Sequence, residues 1–323
     1  MKKTLKVVDL FSGCGGLSLG FRDAGYEVVA AVDNWVPAIQ THRNNFSHPI
    51  LDIDLTDVEE ASSTIRKFNP DMIVGGPPCQ DFSHAGKRDE SLGRANLTVS
   101  FANIVANVKP RWFLMENVGR ITKSKALKTA KEIIKKNGYG ITERILDASL
   151  CGAPQKRKRF FMFGELGGKD GSLDSFLTNN LSQKPMTVRE YFGRKIKTEH
   201  YYRHPRNYSR RAIYSIDEPS ATIRGVNRPI PKGYKGHPLD STKDLKKVRP
   251  LTTMERAQIQ TFPENFAFSG SKTEIEQLIG NAVPVKLAQY VGERIQEYVL
   301  SRNKNIRRVV IKEKAFKPYA SLV

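Results

Sequence analysis

Over its first 165 residues the chain alternates short apolar runs with stretches of helical spacing, and this rhythm admits few architectures. Residues 5–10 and 28–32 are strand-like, and residues 17–24 between them are helical and stop near Gly25. Residues 38–45 suit a helix entered through Pro37, because proline is pre-organised for a first helical turn. Further apolar runs fall at Met72-Ile73-Val74 and Trp112-Phe113-Leu114-Met115. Leu97, Phe101, Ile104, Val105 and Val108 share one helical face, and residues 123–136 form a basic helix closed by Asn137-Gly138. Strands at 143–148 and 159–163 complete the series. Such alternation predicts an α/β fold, a mostly parallel sheet with helices on both faces.

The rhythm breaks after Gly164. The basic segment beyond it is rich in Pro, Gly, Tyr and Arg, without a long amphipathic period, and predicts a small irregular domain of strands and loops. Helical signals return at residues 253–261 and 284–300, ahead of a basic tail. The net charge of +20 over 323 residues favours a polyanionic partner. Residues 186–250 hold sixteen Lys/Arg against six Asp/Glu, so about a fifth of the chain carries +10, half of the total. Six tyrosines are interleaved with these charges, a mixture suited to phosphate contacts and base stacking. No apolar run approaches the ~20 residues that span a bilayer. Three cysteines make neither a disulfide framework nor a metal-ligand pattern, so no metal is expected and the compartment is expected to be the reducing cytoplasm.

Chemistry concentrates in a few blocks. Gly75-Gly76-Pro77-Pro78-Cys79-Gln80 comes directly after a strand-like run. Its prolines stiffen the turn and its glycines admit close approach, which places Cys79 as a candidate nucleophile at the end of a strand. Phe11-Ser12-Gly13-Cys14-Gly15-Gly16 joins the first strand to the first helix and can let a cofactor approach the helix N-terminus. Asp33 ends the second strand, twenty residues after Gly13, where an acid can bind ribose hydroxyls. Ser18 stands where a dinucleotide fingerprint has its third glycine, so a nucleoside cofactor without a pyrophosphate fits better. Glu116-Asn117-Val118 places a carboxylate after an apolar run, and Gln155-Lys156-Arg157-Lys158-Arg159 enters another. In an extended chain Arg157 and Arg159 share a face, as candidates for holding an anion or a carbonyl oxygen.

In this order, and with Arg249-Pro250-Leu251, Glu255-Arg256-Ala257, Phe262-Pro263 and Gly280-Asn281-Ala282-Val283-Pro284 after them, the blocks resemble those of cytosine-5 DNA methyltransferases of the prokaryotic modification type. The resemblance runs from Asp9 to about residue 300. It implies a Rossmann-like methyltransferase sheet using S-adenosylmethionine, with a small target-recognition domain. By resemblance Cys79 attacks carbon 6 of cytosine, and Glu116 bonds ring nitrogen 3 and the exocyclic amine. Arg157 and Arg159 contact the base carbonyl and order the catalytic loop. Phe11, Gly13, Gly15, Asp33, Asp54, Pro78, Leu97 and Asn281 fall on cofactor positions, with Asp52 as an alternative to Asp54. An aromatic often comes directly after the ribose acid, whereas here Asn34 does and Trp35 comes next.

The implied organisation is residues 1–184 for cofactor and catalysis, 185–274 for target recognition, 275–301 as a returning helix and 302–323 as a basic tail. Thr222-Ile223 resembles a Thr-aliphatic pair of the recognition region, and residues 81–94 are expected to be a lid over DNA. The implied activity is methylation of cytosine carbon 5 in a specific duplex sequence, with the base everted. The expected setting is a restriction-modification system, with a monomer acting on double-stranded DNA and no stable complex with the cognate endonuclease. A relative of this family that methylates transfer RNA is the alternative, although its Cys-Phe-Thr signature is missing from this chain.

Overall fold

The structure, a computed structural model, describes residues 4–78, 97–205, 207 and 209–302. Cys79, the expected lid, Arg206, Tyr208 and the tail beyond Arg302 lie outside the described residues.

The amino-terminal part is built from β1 (Lys6–Leu10), α1 (Gly16–Asp23), β2 (Glu27–Val32), α2 (Val36–Asn45), β3 (Ile50–Leu51), α3 (Val58–Arg66), β4 (Met72–Gly75), α4 (Leu97–Val108), β5 (Trp112–Val118), α5 (Lys125–Lys136), β6 (Tyr139–Asp147), β7 (Gln155–Lys156) and β8 (Lys158–Leu166). Among the described residues the main sheet runs β3-β2-β1-β4-β5-β8-β6. Pairs from β3 to β5 are parallel, and β8 is antiparallel to both its neighbours. Alternation of strands and helices therefore predicts four of the five parallel strands; β3, only two residues long, gives no apolar run to read. The antiparallel insertion arises because a short connection, not a crossover helix, joins β6 to β8.

Central strands are covered on both faces and so read as unbroken apolar runs. Val7, Val74 and Leu114 point to one face and pack with Leu17, Phe21, Val291 and Ile295. Val8, Ile73 and Phe113 point to the other and pack with Ala61, Phe101 and Ile134.

The remainder comprises α6 (Asp174–Thr178), α7 (Val188–Phe192), β9 (His200–Tyr202), β10 (Ile213–Ser215), β11 (Ser220–Ala221), β12 (Val248–Pro250), α8 (Thr253–Ile259), α9 (Lys272–Asn281) and α10 (Val285–Arg302). A small sheet orders β10-β9-β12, and β11 pairs in parallel with β7. Thr187, Thr252 and Ser271 each close a reciprocal cap with the glutamate three residues on, which starts α7, α8 and α9. Cys14, Leu19 and Ala38 join Val188, Tyr201, Phe262 and Leu278 in one core, which packs this part directly on α1 and α2.

Helix α10 returns to α1. A Cβ on Gly20 would lie 2.4 Å from the Ala288 Cβ and 2.7 Å from the Val285 carbonyl oxygen. The helix tolerates the glycine, at about 1 kcal/mol of propensity, because only that residue lets the two backbones close. Tyr26 adds a hydrogen bond of 3.0 Å from its hydroxyl to the Gly292 carbonyl.

Candidate active site

The carboxyl-terminal ends of β1, β4 and β5 meet at one edge of the sheet, where ligands bind in open α/β folds. Glu116, in β5, is buried and pairs across the ladder with Phe161. Its Oε1 lies 2.8 Å from Arg159 Nε, in β8. The charges are close, yet that oxygen has no hydrogen bond of good geometry, so it keeps capacity for a ligand. Burial raises the Glu116 pKa above the ordinary carboxylate range, against the pull of Arg159 and then Arg157. A buried carboxyl shifted in this direction holds its proton to higher pH than an exposed glutamate does.

The loop leaving β4 passes over this group. A Cβ on Gly76 would sit 3.1 Å from Glu116 Oε2, so any larger residue there would press on the carboxyl. Asn117 donates from Nδ2 to the Pro77 carbonyl at 2.9 Å and pins the loop two residues before Cys79. Cys14 and Cys151 are buried, and desolvation pushes each thiol up to about 12. Neither can form a thiolate near neutral pH, which leaves Cys79 as the candidate nucleophile.

Arg157 lies between β7 and β8 and is buried. Its Nη1 donates to the Ile223 carbonyl at 2.8 Å, and its Nη2 donates to those of Gly280 and Ala282 at 2.8 and 2.9 Å. Gln155 continues the lattice. Its Nε2 donates to Gln260 Oε1 at 2.7 Å, while its Oε1 accepts the Ile223 N–H at 2.8 Å. Arg157 thus binds the basic segment and the 280–282 turn to the strand pair beside Glu116. Arg159, by contrast, has its guanidinium beside the carboxyl itself.

A second set of residues lines the turn after β1. Phe11, Gly13 and Gly15 all have positive φ, at 56°, 54° and 86°. Asp33 fixes this turn: Oδ2 accepts the Gly13 N–H at 2.8 Å and Oδ1 accepts the Trp35 N–H at 2.9 Å. Burial raises its pKa, partly offset by those bonds, and the charge of Asp52 raises it further. A Cβ on Gly13 would meet nothing within 4 Å, so the turn borders open space that a nucleoside can occupy. A Cβ on Gly16 would lie 2.4 Å from the Val283 carbonyl oxygen, which brings the Asn281 segment to the same turn. Asn281 and Pro78 are exposed, and Leu97 is half-buried at the start of α4. Asp54 is exposed and its Oδ1 accepts the Thr56 N–H at 2.9 Å, so Asp52 is the acid whose charge reaches Asp33.

Beneath the turn lie two features that sequence reading missed. Asp9 is buried; its Oδ2 accepts the Ser18 N–H at 3.0 Å and the Ser18 hydroxyl at 2.6 Å, and burial lifts its pKa to about 7. The Nε2 atoms of His42 and His48 lie 2.8 Å apart, under the Phe46 ring that packs on Gly15. Burial lowers the two pKa values to about 3 and about 4. One neutral ring therefore donates to the other. Since the unfolded rings titrate near 6.5, this pair costs stability as pH falls from there toward 4. Imidazole nitrogen NMR at pH 5.5 should show both rings neutral; a doubly protonated ring would refute the pairing.

The family model for C-5 cytosine-specific DNA methylases matches residues 5–297 of the chain. The type II methyltransferase M.HindV of Haemophilus influenzae is 60% identical over 292 residues, covering 90% of this chain and 96% of that protein. M.HgiDI of Herpetosiphon aurantiacus is 55% identical, covering 91% and 95%. Among solved structures, S. pombe Dnmt2 methyltransferase superposes with a TM-score of 0.68 at 20% identity, over 92% of this chain and 99% of that one. A putative DNA modification methyltransferase from an E. coli prophage gives 0.67 at 24% identity, over 92% and 100%. At those identities the structures speak for the fold.

Proposed function

This chain belongs to the C-5 cytosine-specific DNA methylase family, and on that premise we propose that it methylates carbon 5 of cytosine within a specific duplex sequence, as the modification enzyme of a restriction-modification system. The observation that carries this reading is the buried Glu116 carboxyl, paired with Arg159, beside the pinned loop that leads to Cys79.

Cytosine carbon 5 is a poor nucleophile. Addition of the Cys79 thiolate to carbon 6 makes an enamine-like ring whose carbon 5 can accept a methyl group. Glu116, with its raised pKa, donates to ring nitrogen 3 and accepts from the exocyclic amine, and so stabilises the charge that develops on addition. Arg159 holds the Glu116 carboxyl and reaches the base carbonyl. Arg157 acts as a positioning residue, with its donors given to three backbone carbonyls. S-adenosylmethionine, when bound, supplies the electrophilic methyl group. Phe11, Gly13 and Gly15 would cradle it, Asp33 would meet its ribose, Asp54 or Asp52 its adenine, and Pro78, Leu97 and Asn281 would close around it. The open space beside Gly13 fits such a group. A base then takes the carbon 5 proton and the Cys79 sulfur leaves.

Residues 1–184 would carry the cofactor and chemistry, residues 185–274 the DNA contacts and residues 275–301 the closing helix, in a monomer acting in the cytoplasm. The cognate endonuclease would be a separate protein. Purified chain, given methyl-labelled cofactor, should label duplex DNA and not transfer RNA. A duplex carrying 5-fluorocytosine should trap an adduct on the Cys79 peptide. Label confined to transfer RNA, or an adduct on another peptide, would overturn the reading.

A further inference from the structure

We propose that Arg228 reads a guanine of the target sequence on its major-groove edge, and that a buried polar lattice holds the segment bearing it rigid for that purpose. The proposal rests on the proposed function, in that it takes duplex DNA as substrate.

Between residues 203 and 228 of the basic segment six arginines could in principle serve: Arg203, Arg206, Arg210, Arg211, Arg224 and Arg228. The structure commits most of them. Arg203 gives Nε and Nη2 to the Thr222 carbonyl, at 3.1 and 2.7 Å. Arg211 pairs with Glu218, at 3.0 Å for Nη1, and its guanidinium lies 4.2 Å from the Tyr214 ring centroid. Arg224 donates to the His204 carbonyl. Arg206 lies outside the described residues. Arg210 and Arg228 are exposed, and neither side chain makes a hydrogen bond or ion pair with any described residue.

Support distinguishes these two. Arg210 sits in a turn whose backbone bond runs to Asn207, at 3.3 Å. Arg228 ends a segment anchored almost residue by residue. Ser220 and Ala221 pair with Gln155 and Lys156, immediately before Arg157. Thr222 Oγ1 donates to the Lys156 carbonyl at 2.8 Å, and Ile223 is held at both its N–H and its carbonyl by Gln155 and Arg157. The Arg224 carbonyl accepts from Arg256, itself in a buried ion pair with Glu276. Gly225 packs against α9 so closely that a Cβ on Gly280 would lie 2.1 Å from the Gly225 nitrogen. Asn227 Nδ2 donates to the Leu251 carbonyl at 2.9 Å and to Glu276 Oε1 at 3.2 Å. Pro229 then favours an extended backbone at Arg228.

A guanidinium on such a support presents a pre-organised fork, and guanine O6 and N7 are its matching acceptors. A phosphate contact needs only charge and would not call for this fixation. Val226, two residues earlier on the same pinned segment, is 47% exposed, an apolar side chain suited to a base edge and of no use to a phosphate. The position also fits. From Ile223, bound by Arg157 beside Glu116, five residues span at most about 17 Å. That keeps the Arg228 backbone within about 17 Å of the Ile223 anchor on Arg157.

The test is methylation of a randomised duplex library by the full chain, read by bisulfite sequencing, for wild type, Arg228→Ala and Arg228→Lys. Wild type should be strict. Arg228→Ala should lose about 5- to 150-fold of its preference for guanine at one position or a symmetric pair, with other positions unchanged. Arg228→Lys, which keeps the charge and loses the fork, should relax the same position in part. A uniform decline at all positions, or an unchanged profile in both variants, overturns the assignment and leaves the enzymatic reading intact. A wild-type chain that methylates no cytosine overturns both.

Discussion

Replacing Cys79 with serine should lower methyl transfer at least about a thousandfold while leaving duplex affinity within a few-fold of wild type. The loss is one of nucleophilicity. A serine hydroxyl does not ionise near neutral pH, whereas a thiol needs only a modest fall in pKa to do so. No other cysteine can substitute. Cys14 and Cys151 are buried, and desolvation holds both thiols near 12. The affected step is chemical, so the DNA contacts assigned to the basic segment should survive. Initial rates with labelled cofactor, set beside equilibrium binding to the same duplex, check this. A serine variant retaining a tenth of the wild-type rate would mean that carbon 6 is not attacked by this sulfur.

Glu116→Gln should reduce kcat by about 100- to 10,000-fold with little change in KM. Glutamine is close in shape and can still exchange hydrogen bonds with nitrogen 3 and the exocyclic amine, so the base should still be bound. It cannot transfer a proton to the ring. The pH profile separates the two roles. Because burial raises the Glu116 pKa, the proton is held to higher pH than in an exposed glutamate, and the wild-type rate should fall as pH rises through that value. The glutamine variant should lack that limb. A variant with the wild-type profile at reduced height would show that another group titrates.

Much of this was legible in the sequence, for identifiable reasons. Central strands covered on both faces must be apolar throughout, so Met72-Ile73-Val74 and Trp112-Phe113-Leu114-Met115 announce themselves. Helix α5 is legible from its spacing and its Asn137-Gly138 stop. Helix α9 was not, although Ser271 and Glu274 form the reciprocal cap that signals a start, because Gly280-Asn281 lies inside its last turn and reads as a break. The antiparallel β8 was missed because periodicity carries no information on strand direction. In the site, residue types pointed to Glu116 and the arginines. The division of labour between Arg157 and Arg159 depends on carbonyls from Ile223, Gly280 and Ala282, and no local pattern encodes contacts across 66 to 125 positions. Asp9 and the His42–His48 pair were passed over because an isolated acid or histidine in a strand–helix unit looks like any solvated polar residue until burial is known.

The glycine-mediated seam between α1 and α10 bears on how the molecule is made. Residues near 20 find their packing partners near 288, so during translation α1 leaves the ribosome with its apolar side uncovered. Residues up to about 288 must emerge before that side can be sealed, and Gly16, at the end of the turn, packs against Val283 just ahead of the same segment. The turn would therefore settle only after the segment around Val283 has emerged. Until then the exposed side of α1 is a surface that chaperones can hold and aggregation can exploit.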